Sequence, residues 1–170
     1  MTSSYIEEDI HTAILKLEDN SYDLLYSSPP YGTTSAKWDN PLKWDMLFDE
    51  IWRVLKPNGI CVLHSSMPFT YELCKYDTPR YHWSWKKNTN TNFFKAKLQP
   101  LRNIKKGQKS EKGSGHTGKY PTTFLEYKIR KDGTGINRPD EMIDYFINTY
   151  SNMGDKVLDI SCHNHYVGDR

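Results

Sequence analysis

The feature that most limits how this chain can fold is the pair Pro29-Pro30, which closes off the short apolar run Tyr22-Asp23-Leu24-Leu25-Tyr26-Ser27. Proline has no backbone N–H and a fixed φ, so two in succession cannot extend a sheet ladder. The run therefore reads as a buried strand that stops abruptly, and the residues after it form a loop at the strand's carboxyl end. Between Pro41 and Leu55 the apolar residues fall into two rows at helical spacing, Trp44-Phe48-Trp52 and Leu47-Ile51-Leu55, a wide stripe suited to packing on a sheet face. Lys56-Pro57-Asn58-Gly59 supplies a breaker and a turn, and Ile60-Cys61-Val62-Leu63-His64 has the apolar character of a second strand. Strand, helix and strand in that order imply a parallel crossover.

The rest of the chain continues the alternation. Ser4 to Ile6 reads as a short strand, and Ile10, Ala13, Ile14 and Leu17 as one face of a helix ending at a turn around Asp19-Asn20-Ser21. A helix over Pro68 to Tyr76, a strand over Tyr81 to Lys86 and another over Thr122 to Ile129 follow. Pro139 opens a helix that runs to Tyr150, with Met142, Phe146 and Tyr150 in one row and Ile143 and Ile147 in the next, and Gly154 marks its end. Lys156 to Ser161 reads as the last strand. The pattern predicts an α/β fold with a doubly wound sheet, in one domain spanning residues 1–170. A 36% hydrophobic and 14% aromatic content is enough to build a core, which excludes a disordered chain. No apolar run approaches the roughly 20 residues that span a bilayer, and Met1 to Ile10 carries no basic-then-apolar leader. Cys61, Cys74 and Cys162 are odd in number and widely spaced, which favours reduced thiols and a cytosolic setting.

The formal net charge of +2 says little about partners, but its distribution says more. Between residues 95 and 121 the bases Lys95, Lys97, Arg102, Lys105, Lys106, Lys109, Lys112 and Lys119 face the single acid Glu111, with glycines interspersed and little apolar spacing after Leu101. Such a stretch is an excursion from the core, either a phosphate-binding surface or a solvated loop.

Ser28-Pro29-Pro30-Tyr31 resembles the catalytic tetrapeptide of the DNA amino-methyltransferases, an Asp, Asn or Ser followed by Pro-Pro-Tyr. Its continuation through Gly32-Thr33-Thr34 and Lys37-Trp38-Asp39 is similar to that of phage and bacterial members, as is Lys56-Pro57-Asn58-Gly59 leading into a strand. Arg138-Pro139, the helix to Tyr150, Ser151 to Asp155 and Val157-Leu158-Asp159 together resemble the stretch that enters the family's cofactor strand. With the catalytic loop first and the cofactor strand late, the order is that of a permuted subclass. The resemblance implies a Rossmann-like methyltransferase sheet, S-adenosylmethionine as methyl donor, and double-stranded DNA as partner in the cytoplasm of a bacterial host or phage-infected cell. The methyl acceptor would be the exocyclic amine of a flipped base, cytosine N4 or adenine N6, with serine at the first position tilting toward cytosine.

The residue types suit that reaction. An exocyclic amine shares its lone pair with the ring and is a poor nucleophile. Acceptors at Ser28 Oγ and the Pro29 carbonyl would engage its two N–H groups and favour a tetrahedral nitrogen, Pro29 and Pro30 would hold those acceptors still, and Tyr31 would stack on a base rotated out of the duplex.

By the same resemblance, Asn137 and Arg138 lie near the methionine part of the cofactor, Asp159 and Ser161 at the end of its strand, and Asp9 toward the adenosine, although an acid at a helix start is the commoner explanation of Asp9. Lys95, Lys97, Arg102, Lys105, Lys106 and Lys109 fall where the family has its target-recognition region, and Gln99 to Asn103 resembles a stretch flanking the base pocket. The chain departs from the family after Asp159: His163 and His165 stand where a glycine-rich turn is expected, and Arg170 precedes the strand and acid that normally follow. Two explanations stay open, a piece of a longer protein and a degenerate, catalytically inactive DNA-binding relative; an RNA methyltransferase is a third. Cys162, His163 and His165 lack the paired spacing of a zinc site, so no metal is expected.

Overall fold

The computed structural model describes residues 4, 6–86, 124–128 and 138–161, arranged in two compact units. The first unit takes in residues 1–80 and 140–170, the second residues 81–139. The basic residues 95 to 112, Asn137, and Cys162 to His165 lie outside the described residues.

In the first unit, helix α1 (Ile10–Ala13) passes directly into a 3-10 turn over Ile14–Lys16. Strand β1 is Tyr22–Ser27, helix α2 is Trp44–Val54, strand β2 is Leu55–Leu63 and helix α3 is Phe69–Leu73. In the second unit, β3 (Ser84–Lys86) and β4 (Phe124–Glu126) pair in parallel. Helix α4 (Asp140–Tyr150) and strand β5 (Val157–Leu158) return to the first unit. There the strands form a parallel sheet in the order β2-β1-β5, so β1, the strand closed by the prolines, is central.

The period of two along β1 explains why helices cover both faces of the sheet. Leu25 joins a cluster with Leu47, Ile51 and Val54 of α2 together with Ile14 and Ile160. Its neighbour Tyr26 points the other way, its ring 5.9 Å from that of Phe146 on α4. Leu24, Leu25, Ile51 and Val54 are fully buried, as a doubly wound parallel sheet requires. Arg53 adds a polar tie: its guanidinium donates to the carbonyls of Ile14 and Leu17 at 2.8 Å each and to the Glu50 and Asp19 carboxylates, fastening the 3-10 turn to α2.

Several boundaries differ from the sequence reading. Ser4 and Ile6 belong to no strand. Helix α2 starts at Trp44 rather than Pro41, and Trp52 is 45% exposed instead of joining the buried stripe. Eight residues on from Trp44 the helix has turned about 80° off the row, and Val54 takes the sheet-facing place. Lys56-Pro57-Asn58-Gly59 is not a terminating turn but the opening of β2: while β1 advances from Tyr22 to Leu24, β2 advances from Leu55 to Ile60, so the four residues arch out of the ladder as an irregularity. A glycine is required there, since a Cβ at Gly59 would stand 2.9 Å from the Lys56 carbonyl oxygen. Helix α3 is shorter than Pro68 to Tyr76, and the strands at 81–86 and 156–161 shrink to the residues given above; of the strand expected over 122–129, residues 124–126 are strand, and 122, 123 and 129 lie outside the described residues. Among the described residues no helix is long and apolar enough to cross a membrane.

Candidate active site

The carboxyl ends of β1, β2 and β5 meet at one edge of the sheet. Leu24 and Leu25 pair with Val157 and Leu158, and two steps further the same register brings Ser27 level with Ile160, between Asp159 and Ser161. Ser27 is fully buried and donates from Oγ to Asp159 Oδ1 at 2.6 Å, with Ser161 Oγ 2.5 Å away. The Ser161 N–H closes the cluster by donating to Asp159 Oδ1 at 3.0 Å. Residues more than a hundred positions apart in sequence thus share one hydrogen-bond network. Burial pushes the Asp159 carboxyl above the ordinary aspartate value of 3.8, against the opposing hydrogen bonds from Ser27 and Ser161. Just past β2, the His64 N–H donates to the Ser27 carbonyl at 2.9 Å, and the His64 ring Nε2 is 2.7 Å from the hydroxyl of Tyr26.

Beyond Ser27 the chain leaves the sheet through Ser28, Pro29, Pro30 and Tyr31. Pro29 is buried, and Ser28, Pro30 and Tyr31 are half-buried. The loop after the prolines is organised by one carboxylate. The N–H groups of Tyr31 and Gly32 donate to Asp39 Oδ1 at 2.7 and 2.8 Å, and those of Thr33 and Thr34 donate to Oδ2 at 2.9 and 2.7 Å. Successive N–H groups converging on an anion form a backbone nest. Asp39 is only 5% exposed, so water contributes little to its solvation. Burial alone would raise its pKa, but the bonds from the Thr34 side chain and from the Gly32, Thr34 and Tyr31 N–H groups together hold the carboxyl below the ordinary 3.8. The nest needs Gly32 at φ +63°, where a Cβ would lie 2.5 Å from Pro41 Cγ.

The ring of Tyr31 stacks on Phe69 of α3, with centroids 5.1 Å apart and planes 21° from parallel. Together they line a cavity of about 290 Å³ with Pro41, Trp44 and Tyr76. Among the described residues the buried Trp44 Nε1 donor there has no hydrogen-bond partner. Ser28 is not among the residues lining this cavity. A larger space, about 460 Å³, is lined by Asn20, Asp23, Lys56 and Asp155 at the amino end of β1, the opposite edge from the prolines. Open α/β sheets bind their ligands at the carboxyl edge, which favours the smaller space.

The expected site residues separate into three groups. Ser28 to Tyr31, Asp159 and Ser161 share the carboxyl edge of one sheet. Asp9 instead caps α1, its Oδ1 accepting from the His11 N–H at 3.0 Å, and Arg138 lies in the second unit with its guanidinium 5.8 Å from the centroid of the Trp85 ring. Asn137 and the basic residues Lys95 to Lys109 are outside the described residues. Sequence reasoning missed Ser27, Asp39 and Phe69. The signal for Ser27 was a small polar residue ending an apolar strand, matched by Asp159 ending another.

The structure is similar to a solved structure described as PvuII DNA methyltransferase (cytosine-N4-specific), with a TM-score of 0.58 and 16% identical residues over 93% of this chain and 74% of that one. The chain has a Rossmann-like methyltransferase fold. At this identity the likeness is one of fold. No protein-family model and no curated protein matches the sequence.

Proposed function

We propose that the chain is an S-adenosylmethionine-dependent DNA methyltransferase acting on an exocyclic amine, cytosine N4 or adenine N6, of a flipped base, with residues 1–170 working as one methyltransferase domain. The observation that carries this reading is the Ser27–Asp159–Ser161 network, which joins the loop Ser28 to Tyr31 to the end of β5 at the carboxyl edge of a methyltransferase fold. The cytosine-N4 specificity of the similar structure, together with serine at position 28, favours cytosine.

The partly exposed Asp159 carboxylate and Ser161 hydroxyl beside the end of β1 are acceptors that fit a ligand rich in hydroxyl and ammonium donors, as S-adenosylmethionine is. Asp159 and Ser161 would hold it, and Asp9 is a further candidate from the sequence. When bound, the cofactor supplies an electrophilic sulfonium methyl group. Ser28 Oγ and the Pro29 carbonyl accept the two amine N–H groups, which draws the nitrogen lone pair out of conjugation, and Tyr31 stacks on the base. The buried Pro29 holds those acceptors and the Asp39 nest holds the backbone of Tyr31, so little reorganisation accompanies the transfer. Lys95, Lys97, Arg102, Lys105, Lys106 and Lys109 meet the DNA phosphates.

With methyl-labelled S-adenosylmethionine and duplex DNA, Ser28→Ala is expected to abolish labelling while DNA binding persists; equal loss of both counts against the assigned role. His163 and His165, in place of the family's glycines, favour a second reading as a DNA-binding relative without transfer activity. Calorimetric titration separates the two: saturable binding of S-adenosylmethionine supports the enzyme, and no heat from the folded chain supports the binding module.

A further inference from the structure

We propose that Asp39 is a positioning residue for the target base, acting by fixing the backbone of Tyr31 to Thr34 and through it the plane of the Tyr31 ring. The inference rests on the function proposed above, and it begins from a hydrogen-bond count: both Asp39 oxygens are engaged, each by two consecutive N–H groups, at 2.7 to 2.9 Å. Four backbone donors on the outside of a loop are ordinarily shared among waters, which impose no fixed geometry on them. One carboxylate taking all four leaves the segment a single arrangement.

Asp39 can serve as a fixed point because its own backbone is restrained. Its N–H donates to the Ala36 carbonyl at 3.0 Å, and the neighbouring Asn40 side chain donates to the Lys37 carbonyl at 2.8 Å. Five residues later α2 begins with the buried Trp44, so the anchor lies close in sequence to the helix that fills the core. Pro41 lies close over the nest, since a Cβ on Gly32 would stand 2.5 Å from Pro41 Cγ. At its other end, Tyr31 is held by constraints of different origin, among them its N–H on Asp39 and its ring on Phe69 at 5.1 Å. Loss of the carboxylate releases the first and leaves the second, so the ring keeps its neighbour but loses its fixed tilt. A ring that must stack on a flipped base is sensitive to such a change, whereas cofactor held at Asp159 and Ser161 just past β5 is not.

Asp39→Asn tests this with two independent readouts. Hydrogen–deuterium exchange on the unaltered chain should show the amides of residues 31–34 protected relative to free-peptide rates, and Asp39→Asn should speed their exchange at least tenfold while β1 and α2 stay unchanged. In methyl transfer, Asp39→Asn should lower kcat at least tenfold with the KM for S-adenosylmethionine changed less than twofold, and Asp39→Ala should be slower still. Free-peptide exchange at 31–34 in the unaltered chain overturns the proposal even if the variants do not fold. Faster exchange with an unchanged kcat overturns the positioning role, as does a loss expressed only in the cofactor KM. An unaltered chain that transfers no methyl group refutes the proposed function and with it the catalytic part of the inference, while the exchange result still decides whether Asp39 holds the loop.

Discussion

Replacing Ser27 by alanine takes away the hydroxyl that donates to Asp159 at 2.6 Å and contacts Ser161 at 2.5 Å. Hydrogen bonds to charged groups contribute about 1.5–3 kcal/mol each. The Asp159 carboxylate would keep the Ser161 N–H at 3.0 Å, so the loss should lie near the middle of that range, about 2 kcal/mol. For a domain of this size that lowers Tm by roughly 4–8 °C. The pH dependence carries the mechanism. Burial already raises the Asp159 pKa above 3.8, so the folded state binds this proton more tightly than the unfolded state does. The contribution of Asp159 to stability is therefore greatest below 3.8 and declines as pH rises through its folded value. Ser27→Ala removes a bond that favours the charged form, moving the folded value higher still and extending the decline. Urea unfolding of both proteins at pH 3.5 and pH 7 should show a larger difference at pH 7. A difference under about 0.5 kcal/mol, or one larger at pH 3.5, would refute the network as a buried, charge-assisted junction.

Two further outcomes follow from burial. Ile51 is fully enclosed between α2 and the sheet, so Ile51→Ala should cost about 2–5 kcal/mol in chemical denaturation, while Trp52→Ala one residue on should cost far less because Trp52 is 45% exposed. Burial pushes the Cys61 thiol up to about 12, whereas Cys74 is exposed, so iodoacetamide at pH 8 should label Cys74 in the native protein well before Cys61, as read by peptide mass spectrometry. Equal labelling of the two would contradict the packing around β2.

The parts of the fold that could be read from sequence are those governed by local periodicity. The run ending at Pro29-Pro30, the rows of α2 and the rows of α4 each carry their packing face in a few neighbouring residues, and the structure buries Leu24, Leu25, Leu47, Ile51, Met142 and Phe146 accordingly. The opening of β2 could not be read that way. Pro57 and Gly59 are breakers in isolation, and only the pairing of Leu55 with Tyr22 keeps the arch within the strand. The same limit applies to the site. Ser28 to Tyr31 was legible as a motif, but Ser27 acquires its partners from β5 through sheet register, and Asp39 acquires four donors only once the backbone turns at Gly32. Asp9 was legible chemically and ambiguous in role; its hydrogen bond to the His11 N–H is that of a helix cap.

Nucleoside mass spectrometry after incubation of the chain with duplex DNA and S-adenosylmethionine tests the central claim most directly. The account predicts N4-methylcytosine or N6-methyladenine, absent when Ser28 is replaced by alanine. Methylation at a ring carbon, or no methylated nucleoside from a folded chain that binds the cofactor, would contradict it.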